Sequence, residues 1–248
     1  MNDLQTFSAL RRLKLGAMAE ALQTQLEQPA TYEGLSFLER LELLLEHEHL
    51  SREQRKQQRL VRQAQFKLNA TLPDLDYQHE RNVSRSRIGQ LSSMDWIERG
   101  QNLLITGPCG SGKTWIACAL GHNACLKGYS TRYFRLSRLW LSLTQAKADG
   151  SYQRELKALA KTRLLILDDW GLEPLTADLM ELMDDRHGVT STVVLSQLPT
   201  AEWYAMIGDN THADAILDRL VHNAHRLDLK GASMRKRMAD LTEGEHLG

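Results

Sequence analysis

The sequence predicts a three-layer α/β domain on a five-stranded parallel sheet, preceded by a small all-α region. Two observations carry this prediction. Beyond residue 100, short and nearly continuous apolar runs alternate with stretches of helical periodicity, the pattern of parallel strands covered on both faces. Before residue 70, apolar residues recur at helical spacing only. The composition agrees: 248 residues, 42% hydrophobic and 25% charged, describe an ordinary folded chain. No apolar stretch approaches the roughly 20 residues needed to span a bilayer. The start, MNDLQTFSALRRLK, has no signal-like apolar core. The 3 cysteines form no CxxC pair. Membrane, collagen-like and cysteine-stapled classes are thereby excluded, and a cytoplasmic protein is expected.

Element by element, Leu10, Leu13, Ala17, Leu22 and Leu26 place the first segment on helices. Ser36 with Glu39 forms a capping box ahead of a leucine-rich helix from about 37 to 48. Ser51 with Gln54 repeats the signal ahead of a polar helix reaching about 69, and Pro73 ends the pattern. The strands follow as NLLIT (102–106), TRYFRL (131–136), LLILDD (164–169), TVVLSQ (192–197) and, more weakly, HRLDL (225–229). Helices are expected at 113–127, 137–146, 152–161, 176–187 and 213–224. The domain plan is therefore a helical N-terminal domain over 1–72, a linker and lead-in helix over 73–100, and the α/β domain over 101–248.

The 31 basic and 31 acidic residues cancel, but only over the whole chain. Residues 1–50 are acidic, and residues 51–90 carry a strong basic excess.

Gly107, Pro108, Cys109, Gly110, Ser111, Gly112, Lys113 and Thr114 spell G-x-x-x-x-G-K-T between the first strand and a helix. That context is what a phosphate-binding loop requires. Its glycines let backbone N–H groups turn toward phosphates at the positive end of the helix. Lys113 would reach the β- and γ-phosphates, and the Thr114 hydroxyl would ligate Mg²⁺. In Leu164–Asp169 four apolar residues end in two acids, placing Asp168 at the C-terminal edge of a buried strand, where open α/β sheets bind ligands. Asp168 would hold Mg²⁺ through a water, and Asp169 stands where a water-activating carboxylate is expected. The two motifs together predict an ATP- or GTP-hydrolysing P-loop domain. The guanine-reading N-K-x-D is missing, which disfavours GTP, and so is the ABC-type L-S-G-G-Q. A small-molecule kinase would want a substrate pocket and lid, which no motif marks.

These residues carry a resemblance. With LLILDDWGLEPL (164–175), STVVLSQLP (191–199), EWYAMIGD (202–209), AILDRLVHNAHRLDLKGASMRKR (215–237) and the N-terminal LLEHEHLSREQRKQQRLVRQAQF (44–66), the chain resembles the IstB-like ATPases. These are helper proteins of one class of bacterial insertion sequences, within the AAA+ initiator and helicase-loader clade. The resemblance implies an AAA+ core, ATP and Mg²⁺ as cofactors, and a homo-oligomer with the ATP site at subunit interfaces. It also implies duplex DNA and a transposase as partners. Arg219, in Leu217-Asp218-Arg219-Leu220, matches the arginine finger that acts on a neighbour's nucleotide, and Arg235 matches the second sensor. The chain departs from the clade's pattern in two places. The usual Asp-Glu is Asp168-Asp169, whose shorter side chain sets its oxygen back by about one C–C bond, ~1.5 Å. A slow ATPase is expected. The first sensor, often Asn, falls on Gln197, with Ser196 as the alternative.

Arg52, Arg55, Lys56, Arg59 and Arg62 recur at three- and four-residue spacing, so they share one helix face. A row of cations without aromatic residues suits phosphates of duplex DNA better than base stacking on single strands. No base-reading motif accompanies it, so binding should be largely nonspecific in sequence. The function expected is an ATP-dependent DNA-binding helper that assembles on target DNA and delivers it to a transposase. A replicative helicase loader and a P-loop kinase without a DNA role are the alternatives.

Overall fold

The computed structural model describes residues 3–77, 82–172, 177–207 and 210–231. They fall into two compact units, one ending at Arg59 and one starting at Leu60.

The first unit is helical: α1 (Asp3–Arg12), α2 (Gly16–Glu27), the short α3 (Pro29–Tyr32) and the greater part of α4 (Phe37–Ala64). The chain turns between α1 and α2 at Lys14, whose φ of 61° is left-handed. Side chains tie α2 to α4: Gln25 Nε2 donates to the Arg40 carbonyl at 3.0 Å, and Arg40 Nε donates back to Gln25 Oε1 at 3.2 Å. The Met18 N–H donates to Glu48 at 3.0 Å.

The first capping box forms, with the Ser36 N–H donating to Glu39 Oε2 at 2.7 Å and the Glu39 N–H to Ser36 Oγ at 3.4 Å. The second does not, and here the structure corrects the sequence reading. Helix α4 runs unbroken for 28 residues through Ser51. The stretch REQRKQQR consists of good helix formers. Arg52 and Arg55 also reach back to Glu48, at 2.7 and 3.5 Å, bracing the turn where a break was expected. The helix ends at Ala64 rather than near 69, because Gln65 turns left-handed at φ 54°.

In the second unit, α5 (Arg85–Ser92) and α6 (Asp95–Glu98) lead into β1 (Asn102–Thr106). Then follow α7 (Lys113–Leu126), β2 (Thr131–Arg135), α8 (Leu136–Ala148), α9 (Tyr152–Lys161) and β3 (Leu164–Trp170). The described chain closes with α10 (Ala177–Arg186), β4 (Ser191–Ser196), α11 (Trp203–Ile207), α12 (Asn210–Val221) and β5 (Ala224–Asp228). All five strands pair parallel in the order β2-β3-β4-β1-β5.

The period-2 alternation of strand side chains divides the core in two. Leu103, Ile105, Ile166, Val193 and Leu195 pack in one cluster with Ile116, Ala117 and Leu120 of α7. Leu104, Leu165, Leu167 and Val194 pack in the other with residues of α8, α9, α10 and α12. This is the three-layer α/β architecture expected. Cys118 and Cys125 are buried packing residues of α7. No helix among the described residues is long and apolar enough to cross a membrane.

Candidate functional site

The order of the strands brings the loop after β1 beside the ends of β4 and β5. Gly107 has φ 142°, and a Cβ there would lie 2.5 Å from the Leu229 carbonyl oxygen, so only glycine fits. The loop then turns through left-handed Gly110 and Gly112, and Gly112 is the N-cap of α7. Lys113 and Thr114 thus open the helix. Lys113 is buried, its Nζ donating to the carbonyls of Gly107 at 2.6 Å and Pro108 at 2.9 Å. Ser111 is fully buried, and its Oγ has no hydrogen-bond partner among the described residues. An orphaned hydroxyl inside a loop of inward-turning backbone, beside a buried ammonium, fits an oxyanion such as a nucleotide phosphate. Cys109 lies exposed in the same loop.

Two strands away, β3 ends irregularly. The register passes from Leu167↔Val194 to Trp170↔Ser196, three steps on β3 against two on β4, and Asp169 takes φ 64°. This bulge breaks the alternation and gives the adjacent carboxylates different surroundings. Asp168 is buried; its Oδ2 accepts from Thr114 Oγ1 at 2.9 Å and from Tyr133 Oη at 2.6 Å, and its Oδ1 from the Asp169 N–H at 2.9 Å. Burial, and then the adjacent Asp168 carboxylate, push the Tyr133 phenol far above its ordinary pKa, so it stays a donor. Asp169 is half-exposed and pairs with Arg135 at the end of β2, Nε to Oδ2 3.4 Å. Thr114 and Asp168 are hydroxyl and carboxylate side by side, a donor set suited to Mg²⁺ and its waters.

The remaining candidates differ in their surroundings. Ser196, at the tip of β4, is buried: its hydroxyl donates to the Trp170 carbonyl at 2.9 Å and accepts from the Leu198 N–H at 3.1 Å. Gln197, the next residue, is exposed. Arg219, on α12, forms an ion pair with Asp184 of α10 and donates from Nη1 to the Ala215 carbonyl at 2.8 Å. Arg235 lies outside the described residues. On α4, Arg52, Arg55, Lys56, Arg59 and Arg62 are exposed, but Glu48 partly neutralises the first two.

Two polar residues escaped sequence reasoning altogether: Tyr133 and Arg135, which meet the two acids from β2. Arg186, an arginine that could have served as a finger instead of Arg219, is 1% exposed. Its guanidinium donates to the carbonyls of Leu159 at 2.6 Å and Thr162 at 2.8 Å, to Thr192 Oγ1 at 3.1 Å and to the Ser191 carbonyl. Burial lowers its pKa to about 9, which leaves it charged at neutral pH. It is a clamp between strand and helix ends, not a surface finger.

A parallel sheet whose phosphate-loop strand is separated by one strand from an acid-ended strand defines a P-loop nucleotide-binding domain with an intervening central strand. Solved structures show the same fold. DnaI superposes with a TM-score of 0.57 at 17% identity over 70% of this chain and 94% of that one. AMPPCP-bound DnaA from Aquifex aeolicus superposes with 0.54 at 15% identity, over 73% and 56% of the two chains.

Within that class, the chain belongs to the IstB-like ATP binding protein family, which matches it over residues 8–242. It is 46% identical over 235 residues to a Sinorhizobium fredii protein named as insertion sequence ATP-binding protein y4pL, covering 93% of this chain and 96% of the relative. It is 49% identical over 206 residues, 81% and 89% of the two chains, to the protein of Pseudomonas fluorescens named as the ATP-binding protein of insertion sequence IS1162.

Proposed function

We propose that the protein is a magnesium-dependent ATPase that assists transposition in the cytoplasm. With ATP bound it assembles with copies of itself on duplex DNA and hands that DNA to a partner transposase; hydrolysis resets the assembly. One observation carries this reading: a phosphate loop facing an acid-ended strand occurs in a chain kin, along nearly its full length, to proteins named for insertion sequences.

In this reading the backbone of Gly107–Gly112 and the Ser111 hydroxyl hold the phosphates, and Lys113 exchanges its carbonyl partners for the β- and γ-phosphates. Thr114 and Asp168 hold magnesium, which when bound neutralises phosphate charge. Asp169 takes the proton of the attacking water. Its short arm and its ion pair with Arg135 both slow that step, so turnover is low. Gln197 contacts the γ-phosphate side of the site, while Arg219 acts on a neighbouring subunit's nucleotide and Arg235 on its own. The exposed cations of α4 contact DNA phosphates without reading sequence. The helicase-loader alternative has support only from fold likeness.

The test is reconstitution of strand transfer with a purified insertion-sequence transposase, the partner this reading requires, together with target duplex DNA and ATP. The wild-type protein should stimulate transfer in an ATP-dependent way. Lys113→Ala should transfer at the ATP-free level, because the charge facing the β- and γ-phosphates is gone. Transfer indifferent to this protein, or a pull-down that recovers a helicase and no transposase, would overturn the reading.

A further inference from the structure

A carboxylate has about four acceptor positions, and on buried Asp168 three are filled, by Thr114, Tyr133 and the Asp169 N–H. Under the function proposed above, on which this inference rests, Thr114 would give an oxygen lone pair to the metal while its O–H stays able to donate to Oδ2. The Asp169 N–H is backbone fixed by the bulge and holds only Oδ1. The one side-chain donor on Oδ2 with no part in holding the metal is Tyr133, at 2.6 Å.

Nothing lets that phenol wander. Tyr133 lies on β2 opposite Ile166 of β3, is 7% exposed, and its ring packs in the same apolar cluster as Ile116 and Ala117 of α7. Its hydroxyl is therefore delivered by two rigid elements to one carboxylate oxygen. Losing it would leave Oδ2 with Thr114 as its one side-chain donor, a hydroxyl shared with the metal, and so loosen the carboxylate's orientation.

We propose that Tyr133 is a positioning residue for magnesium: from β2 it fixes the orientation of the Asp168 carboxylate beside Thr114. It touches neither nucleotide nor metal. Donors behind a metal-holding carboxylate typically govern metal affinity by 10–100-fold.

The test measures binding rather than turnover. Fluorescent ATP analogue is titrated into wild type, Tyr133→Phe and Asp168→Asn, once in EDTA and once across a magnesium series. Phenylalanine keeps the ring in its packing, so the variant folds. Tyr133→Phe should raise half-saturating magnesium about 10-fold, with metal-free nucleotide affinity unchanged. The proposal is overturned if half-saturating magnesium stays at the wild-type value while Asp168→Asn moves it. It is equally overturned if Tyr133→Phe weakens nucleotide binding as much in EDTA as in magnesium, since that marks a packing role. If neither variant moves the magnesium dependence, it is the assignment of Asp168 to the metal that fails, and the proposal fails with it.

Discussion

Arg219→Ala separates a catalytic arginine from a structural one, because the two roles predict effects of very different size. In the subunit, Arg219 pairs with Asp184 and bonds the Ala215 carbonyl. The side chains are 28% and 43% exposed, so solvent screens the pair, and it contributes about 1 kcal/mol or less. For a chain of this size that lowers the melting temperature by about 2–4 °C. A finger acting on a neighbour's nucleotide is worth about 10³–10⁵ in rate, or upward of about 4 kcal/mol in barrier height. The variant should thus melt within a few degrees of wild type, bind ATP normally, and lose turnover at least about 10³-fold. The assay is steady-state ATP hydrolysis at saturating ATP and duplex DNA, with calorimetric melting alongside. Mixing with Lys113→Ala sharpens it: an Arg219→Ala pocket facing the finger of a Lys113→Ala subunit has every part, so two inactive proteins should together recover part of the activity. Full turnover in Arg219→Ala alone would refute the reasoning.

Two other substitutions probe the site and its support. Asp169→Asn should bind ATP and magnesium normally yet nearly stop hydrolysis and prolong the DNA-bound assembly, seen by gel shift; the amide is isosteric but cannot take a proton from water, and unchanged turnover would show that Asp169 is not the base. Arg186→Met strips donors from four carbonyls and the Thr192 hydroxyl. The Leu159 carbonyl keeps the Thr162 N–H; each acceptor left without a donor costs about 1–3 kcal/mol, partly offset because a guanidinium no longer has to be buried. A net loss of about 3 kcal/mol should lower melting by roughly 6–12 °C, and a shift under about 2 °C would rule out the clamp.

What could be read from the sequence is what depends on spacing along one segment. The strand NLLIT falls on β1 residue for residue, and the other strands shift by about one position, because nearly continuous apolar runs have few ways to sit in a buried parallel sheet. The Ser36–Glu39 box was legible, whereas the Ser51–Gln54 box misled: both spell a cap, and only tertiary surroundings decide between cap and continuation. At Ser51 the bridges from Glu48 to Arg52 and Arg55 favoured continuation. The same limit applies at the site. Thr114 and Asp168, 54 positions apart, were placed together because a motif encodes them. Tyr133 on Asp168, Arg135 on Asp169 and Asp184 on Arg219 are single polar meetings between distant segments, and no periodicity announces them.

The walls of the phosphate loop have a consequence for how the protein comes into being. The loop begins at Gly107, but β1 is flanked by β4 and β5, both made much later. The Gly107 N–H donates to the Ser196 carbonyl, and the Leu229 N–H to the Thr106 carbonyl. A chain emerging from the ribosome, whose N-terminal parts fold first, can complete the helices of its first unit early. It cannot shape a nucleotide site until residue 229 has been added. The phosphate loop is therefore shaped only after β5 has been made, and a truncated product lacking β5 would keep α4 without a formed loop.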